Sequence, residues 1–178
     1  MDFSIMPECF ADTLMIETFV PPLIRYNHKH SCSQVENEKM RGKLKDRFAV
    51  GIIDKDKHCI KYLNEFVQKD KVDGSLILWR HKAENKHHYI IQIQPALEKW
   101  ILNICEEENI NMQGIPTNLD ELKQLTKKQS SLESKLLKNL FALMNERNEN
   151  ISVRKLKGWI KLLKEKNYQV DINELKNA

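Results

Sequence analysis

An α/β fold is predicted, with a mostly parallel sheet carrying helices on both faces and a helical appendage at the C-terminal end. Three observations predict it. The run Phe48-Ala49-Val50-Gly51-Ile52-Ile53 is apolar at every position, so both faces must be covered, as in a central strand between helical layers. Strand and helix patterns alternate over the first two thirds of the chain, the order that builds parallel sheets. The last third carries helical periodicity almost throughout. With 178 residues, the chain is long enough to bury a core, and its five Gly and five Pro argue against a loop-rich or all-β fold.

The elements follow in order. A short strand is expected at 3–6, broken by Pro7, which has no N–H to give to a ladder. Leu14, Met15, Ile16 and Phe19 suit a buried helix over 11–20, ended by Pro21-Pro22. A second short strand is expected at 23–26, then a polar loop at 28–33 and a charged helix at 34–45. The central strand at 48–53 leads to a helix at 59–68, where Ile60, Leu63, Phe66 and Val67 stand at helical spacing. Asp73-Gly74 marks a turn. Strands at 75–79 and 89–93 flank a polar connection at 82–86. Pro95 suits the first turn of a helix over 96–107. Past Gly114 and Pro116, Asn118-Leu119-Asp120-Glu121 looks like a capped helix start. Helices are expected at 119–127, 132–147 and 153–166, with 168–170 the sole strand candidate there. The chain therefore divides into an α/β domain over 1–115 and a helical C-terminal extension over 116–178.

Composition sets bounds on function. The net charge of +4 permits a polyanionic partner without demanding one. The excess is concentrated at 151–178, where seven Lys/Arg stand against three Asp/Glu. No stretch approaches the roughly 20 apolar residues needed to span a bilayer, and the N-terminus lacks the pattern of a secretory signal. A cytoplasmic location with no membrane partner is expected. Cys9, Cys32, Cys59 and Cys105 form no CxxC pair and no zinc spacing, so reduced, buried thiols are expected. No Gly-rich phosphate loop and no Gly-x-Ser-x-Gly motif is present.

The chemistry gathers at Asp54-Lys55-Asp56, directly after the central strand. In open α/β sheets, functional groups collect beyond the carboxyl ends of the strands. Carboxylates at i and i+2 there repel each other and favour a cation between them. Glu8 follows the first strand and can point a third carboxylate at the same space. An all-oxygen set of this kind suits Mg²⁺ or Mn²⁺ and phosphate chemistry. The bland alternative is a polar turn.

The segment Glu8-Cys9-Phe10-Ala11-Asp12 together with Asp54-Lys55-Asp56, 46 residues after Glu8, resembles a Toprim domain. That family includes topoisomerases, bacterial primases, ribosomal-RNA maturases and nucleases of the overcoming-lysogenization-defect type. The resemblance covers about residues 1–107. It implies a flavodoxin-like sheet, Asp54 and Asp56 as Mg²⁺ ligands, and Glu8 as a ligand of a second ion or a general acid/base in phosphodiester attack. It adds Glu98 as a further metal acid, whose plainer role is to complement a helix dipole. Asp12 matches the first motif in spacing, and also suits a helix N-terminus. Cys9 stands where the family has glycine, and Lys57 and His58 stand where a glycine often follows the acidic turn.

Other residues carry weaker signals. Arg80 and Lys82 follow the strand at 75–79 and can reach a phosphate near the acids, or stand in a solvated loop. His28 and His30 sit in a polar loop without a Cys or carboxylate at ligand spacing. His87-His88 suits a strand edge with one imidazole exposed. Trp79, Trp100 and Trp159 lie in apolar periodic segments and are expected in the core. The basic amphipathic stretch 153–164, with Arg154 and Lys157, can pack with a solvated lysine face, touch nucleic-acid phosphate, or meet a protein partner or a membrane surface.

Three functions compete. The first is a Mg²⁺-dependent, Toprim-like nuclease cutting DNA or RNA, for which the nuclease branch of the resemblance implies a role in defence against foreign (phage) nucleic acid. The second is a catalytically inactive Toprim-like module that uses its basic helical tail to bind a partner or nucleic acid. The third, a phosphoryl-accepting receiver, wants an acidic pair after the first strand and a lysine after the last, and neither pattern is present.

Overall fold

The computed structural model describes residues 2–55 and 61–178, with the backbone alone at 37–39. Five strands build one sheet: β1 (Ile5–Pro7), β2 (Ala49–Asp54), β3 (Phe66–Val72), β4 (Leu76–His81) and β5 (His88–Ile93). Their order is β1-β2-β5-β4-β3. β1, β2 and β5 are parallel neighbours, while β4 runs antiparallel to both β5 and β3. The α/β class and the parallel centre agree with expectation, but the sheet is mixed where a mostly parallel one was predicted. Connection length is the reason. Only residues 82–87 separate β4 from β5, and a parallel crossover needs about a dozen residues or more. Three residues join β3 to β4, and Gly74 there takes φ +70°, a conformation that side chains disfavour.

Two expected elements differ. Within the helix predicted over 59–68, Lys61–Glu65 is a single 3₁₀ turn and Phe66 opens β3. Leu63 and Phe66 share helical spacing because both enter the same buried cluster. Among the described residues, β3 is an edge strand paired with β4 alone, and edge strands tolerate charges such as Lys69, Asp70 and Lys71. The strand expected at 23–26 is absent, and Leu23 and Ile24 are 94% and 88% exposed. The next residues run along β1 instead. Asn27 N–H donates to the Ile5 carbonyl at 3.0 Å and Lys29 N–H to the Pro7 carbonyl at 2.9 Å. The bond between these two in a parallel ladder requires an N–H on Pro7, which has none. The chain nevertheless brings His28, Lys29 and His30 to the end of β1. The late strand candidate at 168–170 falls in a 3₁₀ turn, Asn167–Gln169.

The helices are α1 (Phe10–Phe19), α2 (Cys32–Gln34), α3 (Leu97–Glu107), α4 (Leu119–Thr126), α5 (Lys135–Asn145), α6 (Ile151–Lys166) and α7 (Ile172–Asn177). A π-helical segment, Val35–Lys43, follows α2. Pro95 lies just outside α3, whose N-cap is Ala96. Alternate strand residues enter different clusters, as the period of two requires. Val50, Ile52 and Ile91 pack with apolar residues of α1, α3, α5 and α6, whereas Ala49, Ile53 and Ile90 pack with Val35, Met40 and Leu44. A Cβ on Gly51 would lie 2.8 Å from Val35 Cγ1, so glycine lets that segment lie close against the sheet.

The larger cluster crosses residue 115, taking in Leu122, Leu137, Phe141 and Trp159. The helical segment therefore shares the core of the sheet. Trp100 and Trp159 are buried, and Trp79 packs partly buried on the second cluster. Cys105 is buried and Cys9 and Cys32 half-buried, all as free thiols. Cys59 lies outside the described residues. No helix among those residues is long and apolar enough to cross a membrane.

Candidate functional site

The parallel strands β1, β2 and β5 end at the same edge of the sheet. Glu8 extends the β1 ladder by one bond, from its N–H to the Ile52 carbonyl at 3.0 Å. Its Oε2 accepts the Asp54 N–H at 3.1 Å. Asp54, the last residue of β2, accepts the Leu97 N–H on Oδ1 at 2.9 Å. It thereby caps α3, whose own N-cap Ala96 has no side-chain acceptor. Glu98 follows in the first turn of α3, is buried, and accepts the Thr126 hydroxyl at 2.6 Å. Thr126 belongs to α4, so the helical segment helps to build the site.

Asp12 lies in the first turn of α1. The Cys9 N–H reaches its Oδ2 at 3.0 Å, and its own N–H reaches Cys9 Sγ at 3.3 Å, a reciprocal cap. Asp12 is 1% exposed, and its Oδ1 is buried without a hydrogen-bond partner.

These acids act on one another. Burial raises the Asp54 carboxyl well above its ordinary value of 3.8, and the charges of Asp12, Glu8 and Glu98 raise it further, against the Leu97 hydrogen bond. Burial also raises Asp12, with Glu8 and Glu98 adding to it against the Cys9 bonds. Burial and the charge of Asp12 raise the Cys9 thiol, which leaves it protonated and unreactive.

Glu8, Asp54 and Glu98 line a cleft of about 590 Å³. Lysines from three separate segments share it: Lys29, Lys55, Lys123 and Lys127. Phe10, His28 and His30 complete one wall. The tautomer of His28 follows from its partners. Thr13 Oγ1 gives its only proton to the Cys9 carbonyl at 2.8 Å, so the 2.9 Å contact with His28 Nδ1 takes a proton from the imidazole. Burial lowers the His28 pKa, with His30 adding to the effect against a backbone hydrogen bond at Cys9.

The structure thus gathers Glu8, Asp54 and Glu98, with Asp12 beside them. Asp56 lies outside the described residues. Arg80 and Lys82 do not join the cleft. Arg80 is in register with Tyr89 and so with Val50, four residues before Asp54, or about 13 Å along the strand. β4 runs antiparallel, so its end lies at the opposite edge of the sheet. There Lys82 Nζ bonds the Asn64 carbonyl at 2.8 Å. Lys157 is bonded to the Asn145 carbonyl at 2.8 Å and Asn148 Oδ1 at 2.9 Å, with its pKa lowered by burial, and serves the helix packing. Arg154 is exposed on α6.

The sequence reading missed the lysines of the cleft. Lys123 and Lys127 stand four apart, on one side of α4, but only packing through Leu122 brings that side over the strand ends.

The acids present fit a hard divalent cation in chemistry: all donors are carboxylate oxygens, they repel one another, and Asp12 Oδ1 lacks a partner. Among the described residues, no group of three or more His, Cys, Asp or Glu is arranged to hold an ion. No protein-family model, curated protein or solved structure matches the chain.

Proposed function

We propose that the chain is a metal-dependent phosphodiesterase of Toprim-like type, acting on DNA or RNA. One observation carries this reading: mutually repelling carboxylates share a single cleft with four lysines. A divalent cation relieves the repulsion, and lysines attract the phosphate that carboxylates alone would repel. Glu8 and Asp54, together with Asp56, would hold Mg²⁺ or Mn²⁺. Such an ion supplies positive charge against the negative charge that gathers on a phosphodiester under attack. The chain's own groups do the rest. Lysines orient the phosphate, Glu8 exchanges a proton with the attacking or leaving oxygen, and Glu98, tied to Thr126, keeps α4 and its lysines at the cleft.

A second reading is favoured by the occupied oxygens. Asp54 Oδ1 caps α3 and Glu8 Oε2 accepts a backbone N–H, as purely architectural acids would. The chain would then be a catalytically inactive Toprim-like interaction module.

Thermal unfolding in a Mg²⁺ or Mn²⁺ titration separates the two. A folded-state site at a hundredfold excess over Kd gains about 2.7 kcal/mol, which is on the order of 5–10 °C for a chain of this size. The Asp54→Ala, Asp56→Ala double variant loses that response. No rise in the native protein sinks the metal site. Asp54→Asn lowers Mg²⁺-dependent cleavage of an oligonucleotide by about 10²–10³-fold, the scale for losing one electrostatic group. A native protein that takes up metal yet cuts neither DNA nor RNA is the module.

A further inference from the structure

The ring wall of the cleft has no packing explanation. Phe10 is half-buried and belongs to neither buried cluster, although the apolar residues that follow it on α1 do. Its ring stacks on His28 with centroids 4.2 Å apart and planes 20° apart. His30 meets both rings edge-on, at 5.5 Å and 4.9 Å. His30 is exposed, so the wall presents a ring at the mouth of the cleft. The wall is held in place before any ligand arrives, because the Thr13 hydroxyl fixes His28 through Nδ1 and two backbone bonds fix its segment along β1. Lys123 and Lys127 line the same cleft from α4.

We propose that Phe10, His28 and His30 form a stacking platform for an unpaired nucleobase, and that the cleft therefore takes single-stranded nucleic acid. Lys123 and Lys127 hold the phosphate that adjoins the stacked base. Every base has a π-face, so such a platform tolerates any sequence. A duplex keeps those faces buried in its own stack and offers none. At about 590 Å³, the cleft has the size of sites that enclose a small ligand, enough for a nucleotide unit. The proposal rests on the phosphodiesterase reading for the reaction, but not for the binding.

Binding and cleavage are measured separately on the full chain. Anisotropy of an end-labelled oligonucleotide of about 12 nucleotides, single-stranded or annealed, is followed in Ca²⁺, and cleavage of both forms in Mn²⁺. The single strand is expected to bind at least about tenfold more tightly than the duplex. His30→Ala and Phe10→Leu each lower single-strand affinity about five- to tenfold and leave duplex binding unchanged. Lys123→Ala with Lys127→Ala weakens both and flattens the salt dependence. His30 is exposed, so its variant carries the result even if Phe10→Leu destabilises α1. Equal affinity for duplex, no binding of either form, or a neutral His30→Ala overturns the platform. Single-strand preference without cleavage keeps the platform and sinks the phosphodiesterase. Cleavage without strand preference does the reverse.

Discussion

Helix α6 and the cleft at the ends of β1 and β2 are both crowded with charge, and they handle it in opposite ways. On α6 the lysines find acceptors. Lys155 bonds Asp70 Oδ2 at 2.9 Å and the Lys176 carbonyl, Lys164 bonds the Pro21 carbonyl at 2.6 Å and pairs with Asp2 at 3.2 Å, and Lys166 pairs with Glu174. Lys155 also stands 6.0 Å over the Trp159 ring. In the cleft, carboxylates face carboxylates, and the bonds to Asp54 and Asp12 do not offset burial and mutual repulsion. Charge that is compensated inside the fold is architecture. Acids that are held together against burial and mutual repulsion leave work for a ligand.

The comparison can be broken at its strongest point first. Lys155→Ala leaves Asp70 without its cation, and removing one partner of a largely buried pair is expected to cost about 3 kcal/mol. Urea unfolding measures it, and a loss below about 0.5 kcal/mol would make the Lys155–Asp70 pair no stronger than an exposed one.

The cleft should respond to pH with the opposite sense. Asp54 binds its proton more tightly in the folded chain than in the unfolded one. Between its ordinary value of 3.8 and the raised folded value, the folded state holds more protons. Stability from this group is therefore lost as pH rises through that window. Asp54→Asn cannot ionise and keeps an acceptor for Leu97, so in metal-free buffer it should gain about 1 kcal/mol on the native protein from pH 5 to pH 8. A constant difference across that range would show that the fold does not raise the Asp54 carboxyl. Saturating Mg²⁺ should reverse the order of the two proteins at pH 8.

The smallest effect sharpens the contrast within α6 itself. Arg154 and Lys161 are exposed, and alanine at either should change unfolding free energy by no more than about 0.5 kcal/mol. A larger loss at these positions than at Lys155 would invert the assignment of which lysines hold the fold.

Several parts of this arrangement were open to sequence reasoning. Phe48–Ile53 announced a strand covered on both faces because no position in it tolerates water. The helices α3, α4, α5 and α6 followed from periodicity. Asp54 and Glu8 were found from their place after strands, and the 46-residue interval between them accommodates the crossover that makes β1 and β2 parallel neighbours. The antiparallel course of β4 was readable, from a connection too short for a crossover, although a mostly parallel sheet was expected. β3 was not, because an edge strand with one neighbour needs no alternating pattern, and Leu63 and Phe66 imitate a helix while packing from a turn and a strand. The pair His87-His88 was expected at a strand edge with one imidazole exposed; His88 is fully buried, satisfied by Tyr62 at 2.8 Å and the Leu44 carbonyl at 2.9 Å, and His87 is half-buried.

By itself the sequence determined the α/β class, the central strand, and the acids at its end, since burial on two faces and carboxylates after a strand are local properties of a few residues. Tertiary structure alone decided which cations share the space with those acids. Lys29 arrives on a segment laid against β1 without a full ladder, and Lys123 and Lys127 arrive on a helix more than 60 residues past Asp54, placed by a core that spans both halves of the chain. Tertiary structure also kept Arg80 and Lys82 from the cleft and tied Lys157 into the helix packing, because strand direction and internal hydrogen bonds, which no local pattern records, decide where a long cationic side chain ends.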